Sequence, residues 1–565
     1  MRGDRQDDKT HADKRGAGAR DHEAQRTKTA STMKNIIAIL IFCWLSVPAR
    51  AAIFHIDPAN GSMQNDGSAA APWSTLAEVL DADLIETRSY DPLPYQAGVS
   101  VLVPKNVGAP VHAGDTLMLY DGLHGECFYR GAYNMDPITI MAADGAVPIL
   151  RRFHLQAGAK WRLVGLHVSA EPYGGYDGDH RVFFESHGWH GPVREVEVRD
   201  CVIYSATDIT GWTDQDWLTR HSDGIHISGN QALVIGNTVT NVHFGIIAAG
   251  DSIQAIGNSV VNFSADGMRP LGSDILFEGN TIMNCYDVDA NHDDGIQSFT
   301  TLGYPFHRVV LRGNTIINYE DPYQPYRANL QGIGCFDGPF IDWVVENNVV
   351  VVDHWHGISL YGAQDCVIRN NTVIDPTPEA APGPAWIMVN DIVGFESSGC
   401  VVANNFANTF SLEGTNVYVN NIELPDGALY PLHFVDAPGH DLHLLATSPA
   451  VDGADDQYAP PTDIGGNARP VGAHSDVGAY EYLGPLHIEA EAGIGSCIYP
   501  VPTHDRLFFD GVAAGRTASV EVVDRHGRVV LRERQRLSDG LDVRGLAPGI
   551  YTVRYGNVAT RFVKE

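Results

Sequence analysis

The sequence predicts an all-β chain, a long parallel β-solenoid followed by a small β-sandwich, on three observations. First, Asn237, Asn258, Asn280, Asn314, Asn348, Asn371, Asn405 and Asn421 each follow an apolar run, as in Val234-Ile235-Gly236-Asn237, at spacings of 21, 22, 34, 34, 23, 34 and 16 residues. Second, a glycine mark is interleaved with them: Asp223-Gly224-Ile225, Phe244-Gly245-Ile246, Asp266-Gly267-Met268, Asp294-Gly295-Ile296, Gln331-Gly332-Ile333 and His356-Gly357-Ile358. Third, Val, Ile, Thr, Asn and Gly dominate this stretch and no 3.6-residue apolar stripe persists, which excludes a helical reading.

A period in the low twenties built from short β-branched runs is the mark of stacked coils. No coil can bury its apolar face alone, so stacking supplies the core. Asn suits the repeated corner because it tolerates left-handed backbone angles and its amide can bond the next amide in the stack.

In chain order, Met33-Lys34, the apolar run Ile36 to Val47 and Pro48-Ala49-Arg50-Ala51 read as an export signal, with Met33 as the start and cleavage near Ala51. Its 12 apolar residues are too few to span a bilayer. Thr75 to Leu84 is expected to be a short helix capping the first coil, which hides an open sheet end. Strands are expected at Thr116–Tyr120, Ile138–Met141, Trp161–Val168 and Val193–Ile203. After Gly484 the composition changes to short alternating strands between Gly turns, a small β-sandwich.

Phe54-His55-Ile56-Asp57-Pro58-Ala59-Asn60-Gly61 and Pro72-Trp73-Ser74-Thr75-Leu76 at the start match a pattern completed at the end by Asp463-Ile464-Gly465-Gly466-Asn467 and Asp476-Val477-Gly478-Ala479-Tyr480-Glu481. With the repeats between them they resemble the pectin-lyase-like superfamily over residues 53–483, and this implies a right-handed parallel β-helix. Ala518-Ser519-Val520-Glu521-Val522-Val523-Asp524, His526-Gly527-Arg528 and Leu546-Ala547-Pro548-Gly549-Ile550-Tyr551 resemble the C-terminal sorting domain of the type IX secretion system. Together the export signal and the two resemblances divide the chain into residues 1–52 as leader, 53–483 as β-helix, 484–496 as linker and 497–565 as sorting domain; the second resemblance is what implies the last of these. It also implies the secretion machinery as a partner and a protein released outside the cell or anchored at the outer-membrane surface.

The formal net charge is −31, and without residues 1–52 the chain keeps 28 basic and 63 acidic side chains, or −35. Such a surface excludes nucleic acid held by counterion release. The mature chain is expected to be a monomer with no transmembrane segment. Its seven cysteines, an odd number, are read as buried small hydrophobes, with Cys366 and Cys400 in equivalent places of neighbouring coils.

The long coil spacings put extra chain at one corner, in 280–295, 314–332 and 371–387, with a further loop at Ser205 to Arg220. These loops are expected to wall a groove. Trp212, Trp217, Tyr319, Tyr323, Tyr326 and Trp386 offer flat faces for sugar rings, with local packing as the alternative, and Gln297 and Arg327 join them as candidate substrate contacts.

His221, Asp223 and His226 align without gaps on His292, Asp294 and Gln297, with Asp266 and Arg269 between them. In register, His226, Ile247, Arg269 and Gln297 fall in one column, a strand spacing of about 4.8 Å apart. Each Asp before Gly could simply cap a corner; the concentration of His, Arg and Asp in three coils points to chemistry. Asp287, Asp289, Asn291 and Asp293 put oxygen at every second position, which fits an acid-rich solvated loop or, as the alternative, a calcium site that includes Asp266.

Three functions compete. An anionic-polysaccharide lyase would take the proton alpha to a uronate carboxylate with His226 or His292 and stabilise the enolate-like anion with Arg269. A glycoside hydrolase would use two carboxylates; Asp223-Gly224-Ile225, Asp293-Asp294 and His356-Gly357-Ile358-Ser359 are similar to the β-helix polygalacturonase family, whose Arg-x-Lys motif is missing. The third is a glycan-binding surface protein without catalysis. An exported enzyme that cuts polysaccharide is favoured, with the lyase ahead of the hydrolase.

Overall fold

Three short strands make one coil, and neighbouring coils pair in parallel. The coil Asp223–Ser228, Asn230–Ile235, Thr238–Val242 is followed by Ile246–Ala249, Gln254–Ile256, Ser259–Phe263 and then by Met268–Pro270, Leu276–Glu278, Thr281–Cys285. The first two strands of each coil belong to a 27-stranded sheet and the third to a 12-stranded sheet. The structure, a computed structural model, describes residues 51–300, 304–318, 324–327 and 329–484. In the C-terminal module it describes 498–499, 503, 505–509, 517–524, 529–537, 540–547, 549–555 and 558–564.

Register fixes the core. Ile225, Ile246, Met268, Ile296, Ile333, Ile358 and Ile387 pair in succession. All are at most 1% exposed. Each contributes about 1.5–3 kcal/mol from burial. Every second residue therefore faces outward, and this presents the site residues.

All eight repeat asparagines stack. The side-chain amide of Asn237 donates to Asn258 Oδ1 at 2.9 Å, and the chain runs on through Asn280, Asn314, Asn348, Asn371 and Asn405 to Asn421. One detail differs from expectation. The left-handed residue is the one before each ladder asparagine: Gly236 (φ 66°), Gly257, Gly279, Gly313, Asn347, Asn370, Asn404 and Asn420. That residue makes the turn, which frees the next amide to point along the stack. The glycine of each Asp-Gly-Ile mark serves close approach instead. A Cβ on Gly245 would stand 2.2 Å from Gly267 O, and one on Gly267 2.4 Å from Ile282 Cγ2.

Asn314 is 0% exposed. Replacing it with leucine strands the donors of Asn280 and the acceptor Phe277 O. The variant is expected to lose about 3–5 kcal/mol, read as a lower urea midpoint. Val393→Ser, at a position 99% exposed, should stay within about 0.5 kcal/mol of the parent.

The helix Leu76–Asp81 caps the first coil, shorter than expected, with Thr75 as N-cap and Leu76, Val79 and Leu80 buried. At the other end, Leu424, Phe434, Leu442, Val477 and Ala479 pack over Val349, Val351, Ile374 and Phe406. Antiparallel strands Thr87–Asp91 and Val101–Lys105 add a hairpin that the repeat pattern did not announce. Cys127, Cys201, Cys285, Cys335, Cys366 and Cys400 are all buried and unbridged. The C-terminal module is a four-stranded and a three-stranded antiparallel sheet around Leu507, Val520, Val522, Leu541, Val553 and Phe562.

Candidate active site

The three polar groups lie side by side on one sheet. His226 pairs with Ile247, and Ile247 with Arg269. Met268 pairs with Ile296, so Arg269 stands beside Gln297. Next come Gly334 beside Gln297 and Ser359 beside Gly334.

The downstream coils form an open cleft of ≈ 460 Å³ lined by His292, Gln297, Phe299, Gln331, Phe336, Asp337 and His356. His292 is 62% exposed, and its Nδ1 lies 3.1 Å from Oδ2 of the fully buried Asp294. Gln297 Nε2 donates to the same oxygen at 2.9 Å. The other oxygen, Oδ1, is buried without a hydrogen-bond partner. A Cβ on Gly334 would fall 2.2 Å from it, so only glycine leaves room for this carboxyl. The hydrogen bond to Asp294 raises His292 above its usual 6.5. Burial, helped by the charge of Asp266, pushes Asp294 up to about 7 against the bond from His292. The two groups are joined by this bond and titrate as a pair. Its exposed nitrogen, Nε2, is left to face the cleft.

Arg269 forms the middle of the site. Its Nε donates to Asp266 Oδ2, and its guanidinium lies 4.1 Å from the Phe244 ring centre and 5.8 Å from that of Phe299. Asp266 is 0% exposed, and its Oδ1 accepts from the Asp294 backbone N–H at 3.0 Å. Burial raises Asp266, opposed by Arg269. Arginine, acid, acid and histidine therefore follow one another across two coils.

Upstream, Asp223 sits between two imidazoles, 2.9 Å from His180 Nδ1 and 3.3 Å from His243 Nδ1. Burial pushes its carboxyl up, but the bonds and charges of His180 and His243 outweigh this and hold it well below its usual range. His226 Nδ1 lies 3.0 Å from His180 Nε2, and burial followed by the charge of His180 takes His226 down to about 4. His221 stacks on His243 at 4.3 Å, and burial lowers it too.

With this geometry in view the chain can be set beside known proteins. Residues 223–421 match the family described as "Right handed beta helix region", and residues 497–565 match "Secretion system C-terminal sorting domain". This is a right-handed parallel β-helix with a type IX secretion sorting domain. The sorting domain takes the β-helix protein to the outer-membrane surface or beyond. Among the described residues no helix is long and apolar enough to cross a membrane. The β-helix protein is similar to a solved pectate lyase, Pel9A (14% identity, 77% of this chain and 97% of that one, TM-score 0.40). It is similar too to a rhamnogalacturonan lyase (13%, 70% and 95%, TM-score 0.38). A third is the A-module of mannuronan C-5 epimerase AlgE6 from Azotobacter vinelandii (12%, 55% and 91%, TM-score 0.36). Likeness at this level carries no argument about activity. No curated protein matches the chain.

The loop aromatics of the β-helix protein are placed differently from expectation. Trp212 (8% exposed) and Trp217 (0%) form a satellite core with Ala206, packed on by Tyr286, Val288 and Tyr326. The helix Asp214–Arg220 needs this apolar anchor, so neither tryptophan offers a face to a glycan. Tyr326 is spent likewise, its hydroxyl accepting from the Asp214 N–H at 3.0 Å. Tyr319 and Tyr323 lie outside the described residues. Arg327 is exposed and bridges to Tyr286 through the backbone. Trp386, by contrast, stands beside the cleft as expected, with Phe336 and Trp355, and donates from Nε1 to Ser359 Oγ at 3.0 Å.

Asp287, Asp289 and Asn291 are exposed, whereas Asp293 is buried. Asp289 Oδ1 accepts from the Asn291 N–H and Asp293 Oδ1 from the Asn291 amide. Among the described residues no group of three or more His, Cys, Asp or Glu side chains converges as a metal would need.

Asp293 has a different consequence. Burial, opposed by its bond to Cys285 and reinforced by Asp287, pushes it up to about 8 from 3.8. The native state keeps this proton while the unfolded chain releases it, so stability is lost as pH rises from about 4 to about 8. Asp293→Asn is expected to melt higher than the parent at about pH 8.5 and equally at about pH 4.

Sequence reasoning missed His180, His243, Phe336 and Asp337. His180 opens the strand His180–Glu185, ahead of the repeat that begins at Asp223-Gly224-Ile225. His243 sits one residue before the Phe244-Gly245 mark and could have been found there.

Proposed function

We propose that the β-helix protein is a carbohydrate-active enzyme that cuts a uronate-containing polysaccharide by β-elimination, with His292 as base and Arg269 as the stabilising cation. The observation that supports this most is the exposed His292, held by buried Asp294, at the edge of an open cleft one coil from Arg269.

The uronate lies in the cleft with its carboxylate toward Arg269. His292 Nε2 takes the proton alpha to that carboxylate, and the freed electron pair moves into an enolate-like anion. The guanidinium stabilises the growing charge, while Asp294 steadies the imidazolium. The pair then forms the carbon–carbon double bond as the glycosidic oxygen leaves, and the imidazolium returns its proton to that oxygen. Products are a new reducing end and an unsaturated sugar end.

The burial of the two acids nearest Arg269 disfavours hydrolysis through them. Asp266 and Asp294 are both 0% exposed and present no oxygen to a glycan. Lysine is no competitor as base either: Lys105 donates to Arg130 O, and Lys160 to Met135 O, on the first coils.

Incubation with polygalacturonate, alginate and a neutral glycan, following ultraviolet absorbance and reducing ends together, tests the proposal. Both signals rise together under elimination. Reducing ends without absorbance would establish hydrolysis, and neither signal with retention on a glycan column would leave a binding protein.

A further inference from the structure

Two of the cysteines buried in the stack are neighbours. Gln364 pairs with Ser398 and Val367 with Val401, so Cys366 and Cys400 hold the same position on adjoining coils. The Val401 N–H donates to Cys366 O at 2.8 Å, which ties the coils together at this point. Both side chains are 0% exposed and belong to the same core. Other cysteines face different residues: Cys127 pairs with Phe153, Cys285 with Phe263, and Cys335 with Ser298 and Leu360. Among the described residues no second pair of cysteines stands in neighbouring register.

Unbridged as they stand here, the two thiols nevertheless reach each other. The hydrogen bond between them raises Cys366, with burial adding to it, and lowers Cys400 against burial. Neighbouring strands stand about 4.8 Å apart, inside the Cα separation of about 4.4–6.8 Å that a disulfide spans. A bond also needs the two Cβ atoms to close to about 3.5–4.5 Å. The backbone can supply that small movement, because neither cysteine sits in the middle of a flat ladder. Each follows a left-handed residue, Asp365 (φ 55°) and Gly399 (φ 70°). Cys366 falls in the break between the strands Ala363–Gln364 and Val367–Arg369. One residue earlier the coils are already pressed together, since a Cβ on Gly399 would stand 2.3 Å from Asp365 Oδ1.

The sorting domain takes the protein to the outer-membrane surface or beyond, and disulfides persist in such an oxidising setting. We propose that Cys366 and Cys400 are joined by a disulfide in the exported β-helix protein, a staple between two coils. The two sulfurs form one S–S bond and together give up two protons and two electrons. These reduce the disulfide of a thiol–disulfide oxidoreductase of the cell envelope to two thiols. The bond forms before the stack closes, because in the finished core neither sulfur is open to a partner. Its ends are 34 residues apart in sequence, and the chain between them includes the long loop 371–387 with Trp386. Joining them restricts the unfolded chain and holds that coil at both ends.

The test uses full-length protein collected after export and denatured in excess N-ethylmaleimide, which caps every free thiol. Chymotrypsin without reductant cuts after Tyr361, Phe395 and Phe406 and puts the two cysteines on separate peptides. Mass spectrometry is expected to find those peptides joined in most molecules, separating on reduction, with Cys127, Cys201, Cys285 and Cys335 capped. Capped Cys366 and Cys400, or either one joined to a different cysteine, overturns the proposal. The urea midpoint of the exported wild type should be at least about 0.3 M higher without dithiothreitol than with it. Cys366→Ala/Cys400→Ala should show no such difference. The same drop in the double variant, or none in the wild type, would contradict the staple.

Discussion

His292→Ala is expected to lower kcat/KM by about 10²–10⁴-fold, the usual contribution of a positioned general base, with melting temperature little changed at about pH 6, where buried Asp294, pushed up to about 7, can keep a proton of its own. The ring is 62% exposed, so its removal opens no core cavity. The loss should fall on kcat more than KM, because proton removal belongs to the transition state. Asp294→Asn should give a smaller loss. It leaves the imidazole in place and removes the carboxylate that orients it and raises its basicity.

Arg269→Ala is expected to abolish measurable turnover, and it has a second effect that must be separated from the first. Asp266 is 0% exposed and ion-paired to Arg269. Without the guanidinium its carboxylate is buried and unpaired, a cost of about 3–5 kcal/mol. The single variant should therefore both melt lower and lose activity. Asp266→Asn/Arg269→Ala removes the buried charge, so stability should return while activity does not. Recovery of both together would make Arg269 a structural partner only, and the enolate would need another cation.

The repeat was legible because it is a direct image of the stack. One buried amide per coil leaves one asparagine per coil, and each close coil contact leaves a glycine. Register followed from the same marks, which is why His226, Arg269 and Gln297 could be placed in one column from spacing alone. What spacing could not show was which way a loop side chain turns. Trp212 and Trp217 look like sugar platforms in a list of loop residues, yet a loop long enough to leave the stack needs its own small core. Nor could the pattern separate the aspartates: Asp223, Asp266 and Asp294 occupy the same mark. Asp223 answers to two histidines, Asp266 to Arg269, and Asp294 to His292. Gly334 gives no sign of its role until the Asp294 carboxyl is seen filling the space its absent Cβ leaves.

The most direct measurement is the pH dependence of kcat/KM for uronate elimination in the wild type and in Asp294→Asn. The base must be unprotonated, and its bond to Asp294 raises it above 6.5. Activity should therefore climb with pH through an apparent pKa above that value in the wild type. In Asp294→Asn the limb should move to lower pH with a lower plateau. An acid limb at the same pH in both proteins, or full activity in His292→Ala, would contradict the account.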